Sequence, residues 1–137
     1  MIGSSDEWIL RHHPFPYPMI GWLLLDAKRH IGGFDQFNQS EMNSWGEAVK
    51  SSSSLIKKLS SCDRVYSISF GEAARHLHLH LIPRFGDDPS TESWKIADKY
   101  RLIQNNKVNK INSNNVESFV KEGRLEVKKW GTNWLAY

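Results

Sequence analysis

The sequence contains very little cysteine and no long hydrophobic stretch. Cys62 is the only cysteine among 137 residues, which excludes an internal disulfide and a zinc site built from several cysteines, and is typical of a reducing compartment. No apolar run approaches the ~20 residues that a membrane-spanning helix needs. The first eight residues hold two acids and no Lys or Arg, unlike a secretion signal. We therefore expect a cytoplasmic protein that does not cross a membrane.

An internal repeat and the composition of a disordered chain are also absent. Hydrophobic residues make up 39% and aromatic residues 12% of the sequence, which is enough for the core of one domain. The charge is uneven, with a net −2 over residues 1–94 and a net +5 over residues 95–137. The basic segment is either a solvated face or a surface for an anionic partner. Because it lacks interleaved aromatic and basic residues, we do not expect nucleic acid to be that partner.

Hydrophobic patterning predicts both strands and helices. Apolar runs predict strands at Trp8–Arg11, Ile20–Leu25, Arg64–Phe70 and Ala74–Pro83, the last two forming a hairpin across residues 71–73. The clearest helix runs over residues 38–60, and a shorter one over residues 94–104.

The long helix has a defined start and a predicted buried stripe. Asn38 and Glu41 are spaced as a capping box, and the serine run 51–54 predicts fraying or a bend. The stripe that repeats every three or four residues consists of Met42, Trp45, Val49, Ser52, Ile56 and Leu59.

This order of elements predicts the fold class and the domain organisation. We expect an α+β fold in which one long helix packs on an antiparallel sheet. The domain is predicted to span residues 1–104. Residues 105–137 are predicted to form an Asn-rich linker and a basic C-terminal extension, packed on the domain or on a dimer partner.

Three histidines alternate with leucines at His76, His78 and His80. In a strand, alternate side chains point to opposite faces, so these imidazoles would share one face at intervals of ~6.6 Å while the leucines enter the core. A face that only needed solubility would use Lys, Glu or Thr. The pattern therefore favours a chemical role for the three rings.

Two kinds of chemistry suit such a row of imidazoles. A metal site would need further ligands, for which His12, His13 and His30 are the remaining histidines, and no cysteine pair or His-Glu-x-x-His motif supports it. Nucleophilic catalysis at phosphorus is the stronger hypothesis, because an imidazole with an ordinary pKa of ~6.5 is largely unprotonated at neutral pH. Neighbouring imidazoles would donate hydrogen bonds to phosphate oxygens and protonate the leaving group.

The triad segment and its surroundings resemble a known family. Residues 76–82 (H-L-H-L-H-L-I) match the His-φ-His-φ-His-φ-φ signature of the histidine-triad (HIT) family. Residues 21–31 are similar to the family's Gly-His-φ-φ-φ-x-x-Lys-Arg-His strand, and residues 83–89 to the Pro-Arg-x-x-Asp-Asp-Pro stretch of bacterial members. The resemblance covers about residues 8–94 and points to a bacterial HIT-domain protein similar to dinucleoside polyphosphate hydrolases.

The resemblance implies a role for each histidine of the triad. His78 would attack the α-phosphate of a nucleotide and carry the nucleotidyl group, and His80 would contact the phosphate and the leaving group. His76 would help to orient the nucleophile, partly through its backbone carbonyl. The implied protein is a homodimeric hydrolase or transferase of nucleotides or dinucleotides that requires no metal or other cofactor. The alternative is a HIT-fold nucleotide-binding module with little or no turnover.

Further candidates for binding the nucleotide or its phosphate are Trp22, Ser69, Gly71 and Arg75. Trp22 stands where the family has a histidine, and either fills the core or lines the nucleotide pocket. Ser69 and Gly71 belong to a turn that offers phosphate its amides in relatives, and Ser69 alternatively only fills the sheet. Glu72 in that turn would repel an anion unless it paired with Arg75, which could itself meet phosphate or form a surface salt bridge.

Overall fold

The computed structural model describes residues 1–71, 74–104, 111–131 and 133–137, with the side chains of Ile103 and Gln104 left aside. Its strands are Gly3–Ser4 (β1), Trp8–His12 (β2), Leu23–Ala27 (β3), Arg64–Ile68 (β4), His78–Arg84 (β5) and Leu135–Ala136 (β6). Its α-helices are Gln39–Ser60 (α1), Ser93–Gln104 (α2) and Ser113–Val127 (α3). Within these ranges, no helix is both long enough and apolar enough to span a membrane.

The described strands form one antiparallel sheet in the order β4-β5-β3-β2-β1-β6. This confirms the predicted α+β fold, and β4 pairs with β5 as the predicted hairpin. The predicted start of the last hairpin strand is wrong, because β5 begins at His78 and not at Ala74. Leu77 instead bonds to the end of β3 and to the chain beyond it: its carbonyl accepts from the Ala27 amide at 3.1 Å, and its amide donates to the Ile31 carbonyl at 2.7 Å. Glu72 and Ala73, in the middle of the connection, lie outside the described residues.

The two faces of β5 enter different apolar clusters. Leu77, Leu79 and Leu81 lie in the main core, together with buried residues of β2, β3, α1 and α3. The opposite face, which carries His78 and His80, adjoins a smaller cluster to which α2 contributes Ile96 and Tyr100. The alternation of polar and apolar residues therefore separates the histidines from the main core, as the strand periodicity predicts.

Helix α1 begins with the predicted capping box. The Asn38 side chain accepts from the Glu41 amide at 2.9 Å, and the Glu41 carboxylate accepts from the Asn38 amide at 2.8 Å. Two other expectations for this helix are wrong. The helix does not fray at the serine run, because it is continuous from Gln39 to Ser60, and Met42 of the predicted stripe is 53% exposed. Glu41 takes an inward position instead because its carboxylate is paired with Arg29 as well as with the cap.

The C-terminal residues, which the sequence left without an assigned structure, add a helix and a strand. Val116, Phe119 and Val127 of α3 are buried, and β6 pairs with β1 through Gly3 and Ala136. Of the Asn-rich stretch, residues 105–110 lie outside the described part of the chain. The division of the chain after residue 104 stays a prediction.

Candidate functional site

The triad histidines lie at the start of β5 and just before it. His78 and His80 share one face of the strand, with ring centres 5.0 Å apart. The His76 ring lies at the strand end and turns towards β3, where its Nε2 is 2.6 Å from the Ala27 carbonyl oxygen. The backbone carbonyl of His76, in contrast, faces the His78 ring. The structure thus brings the three predicted catalytic residues together through both ring and backbone contacts.

The proton of the neutral His78 ring is placed by a single hydrogen bond. Its Nδ1 lies 2.8 Å from the His76 carbonyl oxygen. A carbonyl can only accept, so Nδ1 carries the hydrogen and donates it. In the neutral ring the lone pair then belongs to Nε2. The half-buried His78 therefore has the tautomer that a nucleophile attacking through Nε2 needs.

His80 has the opposite tautomer. The indole Nε1–H of Trp22 donates to its Nδ1 at 2.9 Å, so the ring hydrogen of neutral His80 is on Nε2. That Nε2 is buried and has no hydrogen-bond partner among the described residues. Burial lowers the pKa of His80 to about 3, and repulsion from the charges of His78, His13 and Arg11 adds to the shift. His80 is consequently uncharged at neutral pH and can donate a hydrogen bond.

Aromatic rings enclose His80, which is 1% exposed. Phe70 and Tyr100 stack on each other with centres 4.7 Å apart, and each meets His80 edge-on, at 5.2 and 5.3 Å. Tyr100 is brought there by α2. Sequence reasoning missed it, and the only signal was the four-residue spacing from the buried Ile96, which puts both on one face of a helix.

His13 and His30, which the sequence analysis named only as further ligands that a metal site would need, extend the row of imidazoles. The His13 ring lies 6.2 Å from His80 and 5.7 Å from Trp22, and burial lowers its pKa. At the other end, His30 Nδ1 is 3.3 Å from His76 Nδ1. Within the described residues, no group of three or more His, Cys, Asp or Glu side chains is disposed to hold a metal ion. Sequence spacing could not find these contacts because loops bring both rings in.

An ion pair lies on the same face of the sheet. Asp26 of β3 is the cross-strand partner of His78, and its two carboxylate oxygens accept from Arg11 Nε and Nη2 of β2. The pair places a cation near the triad, and this cation contributes to the lowered pKa of both His80 and His13. Neither residue was singled out from the sequence, because the pairing depends on the register between β2 and β3.

The predicted binding residues lie in different surroundings. Ser69 is exposed, and its hydroxyl donates to the His78 carbonyl at 3.3 Å. Gly71 and Arg75 are exposed next to the connection that precedes the triad, while Trp22 is fully buried. Trp22 therefore reaches the site through His80 rather than by lining an open surface. Glu72, expected to affect an anionic ligand, lies outside the described residues.

Comparison with known proteins relates this architecture to solved structures. No protein-family model and no curated protein matches the sequence. A histidine triad protein from Bradyrhizobium japonicum is similar with a TM-score of 0.70 at 16% identity, over 91% of this chain and 87% of that chain. A hypothetical histidine triad nucleotide-binding protein from Sulfolobus tokodaii gives 0.64 at 18% identity, over 92% and 81%. A zinc-bound histidine triad family protein from Mycobacterium smegmatis gives 0.62 at 12% identity, over 92% and 81%.

At such identities the likeness concerns the fold, and it agrees with the motif found in the sequence. The neighbours are similar over about nine-tenths of the chain. The chain therefore has the histidine-triad fold.

Proposed function

We propose that the protein is a nucleotide-phosphate hydrolase or nucleotidyl transferase that acts at the α-phosphate through a nucleotidyl group carried on His78. The observation that carries the proposal is the 2.8 Å hydrogen bond from His78 Nδ1 to the His76 carbonyl, which leaves the lone pair on Nε2. The histidine-triad fold and the sequence resemblance support the nucleotide as substrate class.

The first step transfers the nucleotidyl group to His78. The Nε2 lone pair forms a nitrogen–phosphorus bond while the bond from phosphorus to the leaving group breaks, and the leaving group keeps the bonding electrons. The ring becomes positively charged, and the His76 carbonyl stabilises this charge through the Nδ1 hydrogen. In the second step, water or another hydroxyl attacks phosphorus and loses its proton to solvent. The nitrogen–phosphorus bond breaks, and Nε2 regains its lone pair.

The part of His80 in this scheme is to donate a hydrogen bond. A neutral ring that gave up its Nε2 proton would become an imidazolate, which is a very strong base. His80 therefore keeps this proton and donates it in a hydrogen bond to a phosphate oxygen. The leaving group takes its proton from water. The Ser69 hydroxyl, the Gly71 amide and the Arg75 guanidinium complete the proposed phosphate site. The stacked Phe70 and Tyr100 rings both contact the buried His80 ring, so the rings around His80 have to move before a phosphate oxygen can reach its Nε2.

A nucleotide-binding module is the second candidate, and one observation favours it. His80 is enclosed by Trp22, Phe70 and Tyr100. Its Nε2 donor is therefore buried and does not reach a phosphate at His78 unless these rings move. In such a module His78 would contact the nucleotide without becoming modified.

Intact-mass measurement separates the two candidates. The protein is mixed with a nucleoside phosphoramidate or a dinucleoside polyphosphate in the presence of a chelator, and quenched samples are weighed while products are followed. We expect cleavage and a transient adduct of one nucleotidyl group, both absent from His78→Asn. His30→Asn, which removes an exposed imidazole from the same row, should still form the adduct. A wild-type protein that binds the nucleotide but neither cleaves it nor gains mass would establish the binding module instead.

A further inference from the structure

The backbone around Trp22 holds its indole against His80. Gly21 has a positive φ of 80°, a conformation that glycine adopts without strain, and its amide donates to His12 Nε2 at 3.0 Å. The Trp22 carbonyl accepts from the His13 amide at 2.8 Å. The indole is 0% exposed, so its position depends on this framework and on the rings that it contacts.

The contact between the two rings determines which nitrogen of His80 carries hydrogen. An indole N–H can only donate, so His80 Nδ1 has to accept, and a neutral imidazole then holds its hydrogen on Nε2. A side chain without a donor at position 22 would leave Nδ1 with no such constraint.

A purely packing role for Trp22 would explain its hydrogen bond to His80 but not the nitrogen on the other side of the His80 ring, which is unpaired within the described part of the chain. A buried indole N–H needs an acceptor, and His80 Nδ1 provides one. Packing gives no reason for the buried Nε2 of His80, which has no partner among the described residues. Buried donors in folded proteins are almost always paired, and an exception calls for an explanation. This donor belongs to a ring 5.0 Å from that of His78.

The geometry points to Trp22 as a positioning residue that fixes His80 as an Nε2–H donor for an oxygen of the phosphate attacked by His78. The part that concerns phosphate rests on the proposed function, whereas the assignment of the tautomer does not. The indole of Trp22 always donates to His80 Nδ1, whereas a neutral histidine at position 22 would donate there in only one of its two tautomers.

Nitrogen NMR of the histidine rings tests the tautomer directly. In protein labelled with ¹⁵N-histidine, we expect the wild-type His80 to show hydrogen on Nε2 and an unprotonated Nδ1. Trp22→Phe keeps an aromatic ring but removes the donor, and should give a mixture of tautomers. Trp22→His restores a ring N–H at this position and should recover the Nε2–H form. Trp94→Phe makes the same change at a tryptophan that is 82% exposed, and should leave the His80 signals unchanged.

The catalytic part is tested with the same variants. Loss of a donor to a developing charge costs about 100–1000-fold in kcat, and because Trp22 acts through His80 we expect Trp22→Phe to lose about 10–100-fold, with Trp22→His regaining part of it. A wild-type His80 that carries its hydrogen on Nδ1, or a Trp22→Phe spectrum identical to wild type, would overturn the assignment even if the variant enzyme were impaired. A wild-type protein without turnover would overturn the proposed function while the spectra still decided the tautomer.

Discussion

At the scale of single residues, His76 contacts the His78 ring through its backbone and not through its own ring. The carbonyl accepts from His78 Nδ1, while the ring bonds to the Ala27 carbonyl and to His30. A histidine that contributes a main-chain atom can lose its side chain without removing that atom.

We therefore predict that His76→Ala retains cleavage. The carbonyl stays in place, so His78 keeps its tautomer, and the loss of the ring contacts should slow nucleotidyl transfer by about 10-fold, equivalent to ~1.4 kcal/mol in the barrier. The rate of adduct formation in single turnovers measures this effect. If His76→Ala were as inactive as His78→Asn, the ring rather than the carbonyl would be the group that matters.

What the sequence could predict about these residues depended on the range of the interaction. The placement of His78 and His80 on one face of the strand, with the leucines on the other, follows from strand geometry alone and was predicted. The contacts of His13, His30 and Arg11 were not, because they depend on loops and strand register that join distant parts of the chain. For Trp22 both a core and a pocket role were open, and the structure gives a fully buried indole bonded to His80.

At the scale of elements, the start of α1 is stabilised by groups close in sequence. The reciprocal bonds of Asn38 and Glu41 satisfy amides at the helix start, and Arg29 joins them through Glu41. The Arg29 guanidinium holds the pKa of Glu41 below its ordinary value, so this carboxylate stays charged at the helix N-terminus.

We predict that Asn38→Ala lowers the free energy of unfolding by about 1 kcal/mol, the usual cost of losing such a cap. Asn38→Asp keeps an acceptor oxygen and should be close to wild type. Urea denaturation followed by circular dichroism measures both. Equal losses in the two variants would mean that the side-chain acceptor does not stabilise the helix.

The same helix shows why a local pattern is only partly predictive. The cap was predicted because its residues are three positions apart. The exposure of Met42 was not predicted, because the Arg29 contact that turns Glu41 inward comes from another part of the chain. In the same way, β5 begins only at His78 because the backbone of Leu77 bonds to Ala27 and Ile31, which are far from it in the sequence.

At the scale of the whole molecule, buried neutral histidines make folding sensitive to acid. Burial lowers the pKa of His12 to about 4, and that of His80 to about 3, whereas an unfolded chain has the ordinary value of ~6.5. As the pH falls below that value, the unfolded chain gains protons that the folded protein excludes. The stabilisation by each neutral histidine is therefore complete above the unfolded pKa and is lost as the pH falls to the folded pKa.

We predict that the free energy of unfolding falls by about 1.4 kcal/mol per pH unit for each of these histidines between about pH 6 and pH 4.5. His12→Gln retains an acceptor for the Gly21 amide and a donor for the His13 carbonyl, and should make the dependence less steep. Urea unfolding at several pH values measures the slope. An unchanged slope in the variant would show that His12 titrates equally in both states.

The assembly expected from the family resemblance is a further prediction at this scale. We predict a homodimer of twice the 15.8 kDa chain mass, which light scattering after size-exclusion chromatography measures. A species of single chain mass at every concentration tested would contradict it.

The pairing of β1 with β6 brings the two ends of the sequence side by side, since the Tyr137 amide donates to the Ile2 carbonyl at 3.2 Å. Affinity tags or fluorescent labels fused at the amino and carboxyl ends would therefore emerge at the same border of the sheet. That border is β6, four strand spacings from β5 in the sheet or about 19 Å, so a tether to a surface should leave His78 accessible.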